Sequence, residues 1–233
     1  MTIKEIAELL RAYTDEPDET FMSDNDVKAF LGQGYREFRD LVTKIEPQAY
    51  AIGASFTLTN TAFIDLATTN VTFADLSAGK ILGGSATDGK RMGQILTVSS
   101  ATAGTSPSQY IYQPVSSDAA LQTAASGYML SGTKLMFSGS ITSPMAISYV
   151  PMPIRTLWND LAAINVLDDF GMFHDIVALL AYKQYAIRDG AINDVLMGQL
   201  QARIADLEEG ITHRNLEAPH YVQRVMGGID TFY

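Results

Sequence analysis

The run Ala146-Ile-Ser-Tyr-Val150-Pro151-Met-Pro153 marks a boundary in the chain. Its β-branched and aromatic residues favour a strand, and the two prolines stop it. Before it, residues 49–150 carry only Lys80, Lys90, Arg91 and Lys134 against Asp65, Asp75, Asp88 and Asp118, and they are crowded with Ser, Thr, Gly and Ala. After it, residues 151–233 hold six bases against eleven acids, and residues 1–48 hold the same numbers. Both ends are therefore acidic by five and the centre is neutral. A composition break at both edges predicts an insertion between two halves of another domain.

Inward from that boundary the sequence reads as short strands. Phe56 and Leu58, then Phe63, Ile64 and Leu66, flank the turn-like Thr59-Asn60-Thr61. Ile95 to Ser99 alternates, and Gln109 to Gln113 is aromatic and β-branched. Tyr128-Met-Leu130 and Leu135-Met-Phe137 around Ser131-Gly132-Thr133 predict a hairpin with a three-residue loop. Strands at this spacing suggest a small antiparallel sandwich or barrel.

Outward from it, both ends read as helix. Ile3, Ile6, Leu9, Leu10 and Tyr13 recur at helical spacing. Ser23 is an N-cap type, and Val27, Phe30, Leu31, Tyr35, Phe38, Leu41, Val42 and Ile45 trace one stripe ended by Pro47. Gly32 and Gly34 interrupt that helix, and close packing against a neighbouring helix is the expected reason. A third helix is expected from about Gly171 to Arg188, and Asp168-Asp169 fall where a helix N-terminus favours acids. Asp189-Gly190 punctuates, and a fourth helix runs from about Ile192 to Ile211, closing an αα-hairpin.

The fold class is thus expected to be α+β: a bundle of about four helices with a small antiparallel β sandwich or barrel inserted. Residues 1–48 form the first half of the helical domain and 49–150 the insert. Residues 151–218 form the second half, and 219–233 a C-terminal docking tail.

Composition excludes several classes. The chain has no cysteine, so disulfides, thiolate nucleophiles and cysteine zinc sites are ruled out. A formal net charge of −10 disfavours gripping phosphates, which requires a basic patch. No apolar run reaches the length of a membrane span. The opening MTIKEIAELL carries acids and no small-residue cleavage site, so it does not read as a signal peptide.

Three motifs invite a chemical reading. Gly84-Ser-Ala-Thr-Asp-Gly89-Lys90 matches a phosphate-binding loop up to the lysine, but Arg91 stands where Ser or Thr would hold magnesium. No helix is expected after it, and Asp88-Gly89 is a turn dipeptide, so a surface turn is predicted. His174 and Asp175 beside Asp168 and Asp169 could form a metal or acid–base cluster. The dipole of the following helix already accounts for the acids, and His213 and His220 share no face. No Gly-x-Ser-x-Gly elbow occurs. No metal, cofactor or catalytic residue is expected, and Trp158 suits either a core or an interface anchor.

Three stretches carry a family likeness. They are Phe21-Met-Ser-Asp-Asn-Asp-Val-Lys-Ala-Phe-Leu31, Ile147-Ser-Tyr-Val-Pro-Met-Pro153 with Leu157 and Asp160, and Leu167-Asp-Asp-Phe-Gly-Met-Phe-His174-Asp175-Ile176-Val177 with Ala181, Tyr185 and Asp189-Gly190. In these the chain resembles the head-to-tail connector (adaptor, or head completion) proteins of tailed bacteriophages. Gly32-Gln-Gly34 departs from the Asn-x-Ala found in many relatives. The resemblance implies a non-enzymatic structural protein of the virion neck, assembled in the host cytoplasm. It implies a ring, twelvefold in that family, bound beneath the portal protein and continuing the DNA channel without specific DNA binding. A tail or nozzle protein would join its lower surface. The C-terminal tail would dock on the portal or on the next subunit through Tyr221, Val222, Val225, Met226, Ile229, Phe232 and Tyr233. The alternatives are a tail or baseplate component whose β domain binds a host glycan, and a carbohydrate-active enzyme using two of the four central acids.

Overall fold

The computed structural model describes residues 1–15, 22–84, 86–87, 89–100, 110–154, 157–190 and 192–217. Helix α1 (Ile3–Thr14) opens on a reciprocal cap: Thr2 Oγ1 accepts the Glu5 N–H, and the Glu5 carboxylate accepts the Thr2 N–H at 2.8 Å. Helix α2 (Asp24–Ile45) is capped by Ser23 and buries Val27, Leu31, Tyr35, Phe38 and Val42 along one stripe. A 3-10 turn begun by Pro47 (Pro47–Tyr50) then leads into the sheet.

Strands β1 (Ile52–Asp65), β2 (Val71–Phe73), β3 (Ala78–Gly79), β4 (Met92–Ser100), β5 (Tyr110–Pro114), β6 (Gly127–Ser131) and β7 (Lys134–Pro151) form one sheet. Its order is β3-β2-β1-β7-β4-β5-β6, and β6 also pairs with β7. Strands β7, β4, β5 and β6 therefore close into a four-stranded barrel. The β1–β7 ladder starts with Ile52 opposite Tyr149 and ends with Asp65 opposite Lys134. Chain entering the sheet thus lies beside chain leaving it. Helix α3 (Asp118–Thr123), capped by Ser117, carries the chain from β5 to β6.

After β7 the described backbone is irregular up to a 3-10 turn at Gly171–Phe173. Helix α4 (Asp175–Asp189) ends on Gly190, whose φ of 76° is a conformation glycine adopts without strain. Helix α5 (Asp194–Glu217) follows. Helix α4 buries residues on all sides and packs against α1, α2 and α5. A Cβ on Gly34 would sit 2.6 Å from the Val177 carbonyl and 2.8 Å from the Ala181 nitrogen, so the α2–α4 contact requires glycine there. Gly32 has only Trp158 at 3.6 Å and does not share that reason.

The apolar interior falls into two clusters. One joins α1, α2, α4 and α5 with Trp158, Leu167 and Phe170 from the irregular segment. The other lies within the sheet around Phe56, Leu135, Met145, Ile147 and Tyr149.

The expected architecture needs correction. The chain is a mixed α/β molecule with five α-helices and a seven-stranded sheet among the described residues, not a four-helix bundle carrying a small antiparallel sandwich or barrel. Three physical reasons account for the difference. Helix α3 crosses from β5 to β6, so those strands run parallel, a pairing a tight turn cannot make. Strand β7 spans 18 residues and pairs with β1, β4 and β6, which curls one sheet on itself instead of stacking two. Irregular segments add Trp158, Leu167 and Phe170 to the helical cluster's core, beside the packing of α4 on α1, α2 and α5. Two local readings also change. Thr59-Asn60-Thr61 is an irregularity inside β1, with Asn60 at φ 49°, not a turn. The β6–β7 hairpin closes in two residues, Gly132 and Thr133, because Ser131 pairs with Lys134.

Candidate functional site

Sequence spacing places Asp168 at a helix N-terminus. The helix instead begins at Asp175, and the Asp168 carboxylate is buried among four donors. Its Oδ1 lies 2.6 Å from Nε2 of His174 and accepts the Phe170 N–H at 2.9 Å. Its Oδ2 accepts the Tyr50 hydroxyl at 2.7 Å and the Tyr35 hydroxyl at 3.2 Å. His174 is fully buried, and its Nδ1 lies 3.1 Å from the Met1 carbonyl oxygen. The network therefore ties α2, the turn after it, the segment before α4 and the start of the chain together.

Electrostatics set the protonation of Asp168 and of the two tyrosines in this network. Burial alone pushes the Asp168 carboxyl up, but hydrogen bonds from His174, Tyr50 and the Phe170 N–H outweigh it and hold the group below the usual carboxylate range. Burial, reinforced by the Asp168 charge, pushes the Tyr35 and Tyr50 hydroxyls up, so both remain donors. A His–Asp pair acts in catalysis when the other imidazole nitrogen faces a nucleophile or substrate. Here that nitrogen lies 3.1 Å from the Met1 carbonyl oxygen and 3.5 Å from the Met1 amino nitrogen, and the ring has no exposed edge. The arrangement fastens segments together.

Arg39 lies beside the network. It is 7% exposed, its Cζ sits 4.3 Å from the Tyr50 ring centroid, and its Nη2 donates to the Pro151 carbonyl at 2.9 Å. A cavity of about 300 Å³ opens there, lined by Tyr35, Arg39, Tyr50, Pro151, Leu167 and Asp168 among others. It sits where the helical and sheet clusters meet.

The other singled-out residues have separate roles. Lys90 donates to Asp75 and to Ser77 Oγ, each at 2.6 Å, and lies over the Phe73 ring. The Lys90 bond, with the Ser77 hydroxyl and N–H that also donate to Asp75, holds its carboxyl far below the usual range. Gly89 has φ 72°, in keeping with a turn, and Lys90 is already engaged rather than free for phosphate. Asp175 does not join His174; both its oxygens take N–H groups of Arg203. Asp175, and to a lesser degree Asp206, hold the Arg203 guanidinium above its ordinary value. Trp158 is buried edge-on to Tyr35 on its own chain. No three His, Asp or Glu side chains among the described residues could hold a metal ion. No helix among them is long and apolar enough to cross a membrane. His220 and the tail residues Tyr221, Val222, Val225, Met226, Ile229, Phe232 and Tyr233 lie outside the described residues.

Sequence reading missed Tyr35 and Tyr50 as partners of Asp168, and Arg39 beside them. One signal was present: Arg39 follows Phe38 inside an apolar stripe, where a charged side chain needs a reason. No protein-family model matches the chain, and no curated protein matches it significantly in sequence.

Proposed function

We propose that the chain is a structural, non-enzymatic virion protein: the subunit of a head-to-tail connector ring joining a phage portal to its tail. The observation that carries the reading is two groups of exposed apolar residues on the helical part, each of which we read as one patch. Ile164, Val166 and Met172 lie just before α4, whereas Ile187, Ile192 and Val195 surround its far end, and all six are between 61% and 78% exposed. The 15 residues of α4 set the patches about 20 Å apart. Two unlike patches on one subunit are what a head-to-tail contact uses, and such a contact closes into a ring by rotation. The likeness of the two ends to connector proteins supports the same reading. The net charge of −10 suits a channel wall that repels passing DNA. In this reading residues 219–233 dock on the portal or on the next subunit.

Sedimentation velocity and electron micrographs, with and without portal, test it. The full chain should form a closed ring of fixed mass. Val166→Glu and Ile192→Glu should each remain monomeric. Mixed together, they should pair once and stop, because the pair leaves a broken patch at each end. A chain that forms no ring with or without portal, or variants that still close rings, would overturn the reading.

A further inference from the structure

We propose that the cavity beside Arg39 binds a carboxylate carried on a short apolar stem, with the Arg39 guanidinium as the recognising group. The inference goes beyond the ring reading and does not rest on it. A guanidinium has five N–H donors. Among the described residues Arg39 gives one to the Pro151 carbonyl and forms no ion pair with any carboxylate. Arg39 lines the cavity, and none of its nitrogens is fully buried without a partner.

Asp168 lines the same cavity but makes no ion pair with Arg39, and its oxygens already accept from His174, Phe170, Tyr35 and Tyr50. A cation at 7% exposure without a paired anion is costly, and an incoming carboxylate would offset that cost through two parallel N–H···O bonds. Ile52, Met152, Ile154 and Leu157 supply the apolar wall, which fits a stem and not a bare ion. The volume of about 300 Å³ suits a small ligand. The carboxylate could belong to a free acid or to an acidic side chain of another copy of this chain. Both present the same chemistry.

Calorimetric titration of the full chain with hexanoate tests the site. Saturable binding is expected, with hexan-1-ol weaker by about tenfold or more because it loses a charge-assisted hydrogen bond. Acetate should be weaker by about tenfold or more because it loses four methylenes that hexanoate buries. Arg39→Gln should lose binding by a similar factor, with circular dichroism checking its fold. Leu157→Trp, which fills the cavity and keeps Arg39, should lose it too. Sedimentation with saturating hexanoate separates the sources. A fall in particle mass means the acid displaces another copy's side chain, and an unchanged mass means the free acid is the ligand. Hexanol binding as tightly as hexanoate, an Arg39→Gln variant binding as well as the parent, or no binding at millimolar hexanoate would each overturn the proposal.

Discussion

The helical and sheet parts of this chain use polar groups in opposite ways. The helical part buries them: His174 is fully enclosed, Arg39 nearly so, and Asp168 gathers four donors in its interior. The sheet part keeps its ion pair outside, where Lys90 clips Asp75 with 61% of the Asp75 side chain exposed, and the Tyr149 hydroxyl reaches from inside it to the Lys90 carbonyl at 2.6 Å. The contrast follows from backbone regularity. A sheet pairs its own backbone groups, so its core needs few polar side chains. The described backbone between β7 and α4 is irregular, and side-chain hydrogen bonds accepted by Asp168 hold it against α2 in place of a ladder. Breaking a polar group should therefore cost much in one part and little in the other.

The largest effect belongs to Asp168→Ala. It leaves two tyrosine hydroxyls and a buried imidazole without their acceptor, a loss of about 3–5 kcal/mol by analogy with other broken buried pairs. Urea denaturation followed by circular dichroism measures it. The same variant should also flatten the acid limb of the stability curve. The Asp168 carboxyl is held below its ordinary value in the folded chain. Its contribution is therefore full above the unfolded value of about 3.9 and disappears as pH falls through the lower folded value. The parent should lose stability in that window, and the variant should not show that component. A loss under about 1 kcal/mol would place the network with ordinary surface contacts and erase the contrast.

Next comes the pair Gly34→Ala and Gly32→Ala. The added methyl at Gly34 meets the backbone of α4 at 2.6 Å, and backbone cannot turn aside, so overpacking should cost about 1–3 kcal/mol. At Gly32 the nearest atom is 3.6 Å away, and alanine should stabilise the helix by about 1 kcal/mol. Opposite signs two residues apart, read in the same melt, would show that the α2–α4 contact and not helix propensity governs this face.

The same contrast explains what could be read in advance. Helices α1 and α2 were legible because Ile3–Leu10 and Val27–Val42 are stripes ending at cap residues and Pro47, all local signals. The expected fold class, a four-helix bundle with a small antiparallel sandwich or barrel, was not correct, since closure of the sheet depends on β7 pairing with three strands far apart in sequence. Nothing local distinguishes Thr59-Asn60-Thr61 in a bulge from the same residues in a turn. The Asp168 network was hidden for the same reason. Tyr35 and Tyr50 lie 133 and 118 residues from their acceptor. Asp168-Asp169 also had a sufficient local explanation as a helix start.

The smallest effect is expected at the sheet's surface clip. Lys90→Met removes the contacts to Asp75 and Ser77 but leaves the methylene stem over Phe73. Asp75 is open to water, so its charge is well solvated once the partner is gone, and an exposed pair of this type gives little net stability. The thermal midpoint of Lys90→Met should match the parent within the error of the melt, at low and at high salt. Tyr149→Phe, acting on the backbone carbonyl of the same lysine from inside the sheet, should cost about 1 kcal/mol. Together the two variants separate the buried from the exposed side of one residue. If the lysine variant proved the more damaging, Lys90 would be fastening the β2–β3 hairpin to the sheet. The sheet part would then depend on a polar anchor much as the helical part depends on Asp168.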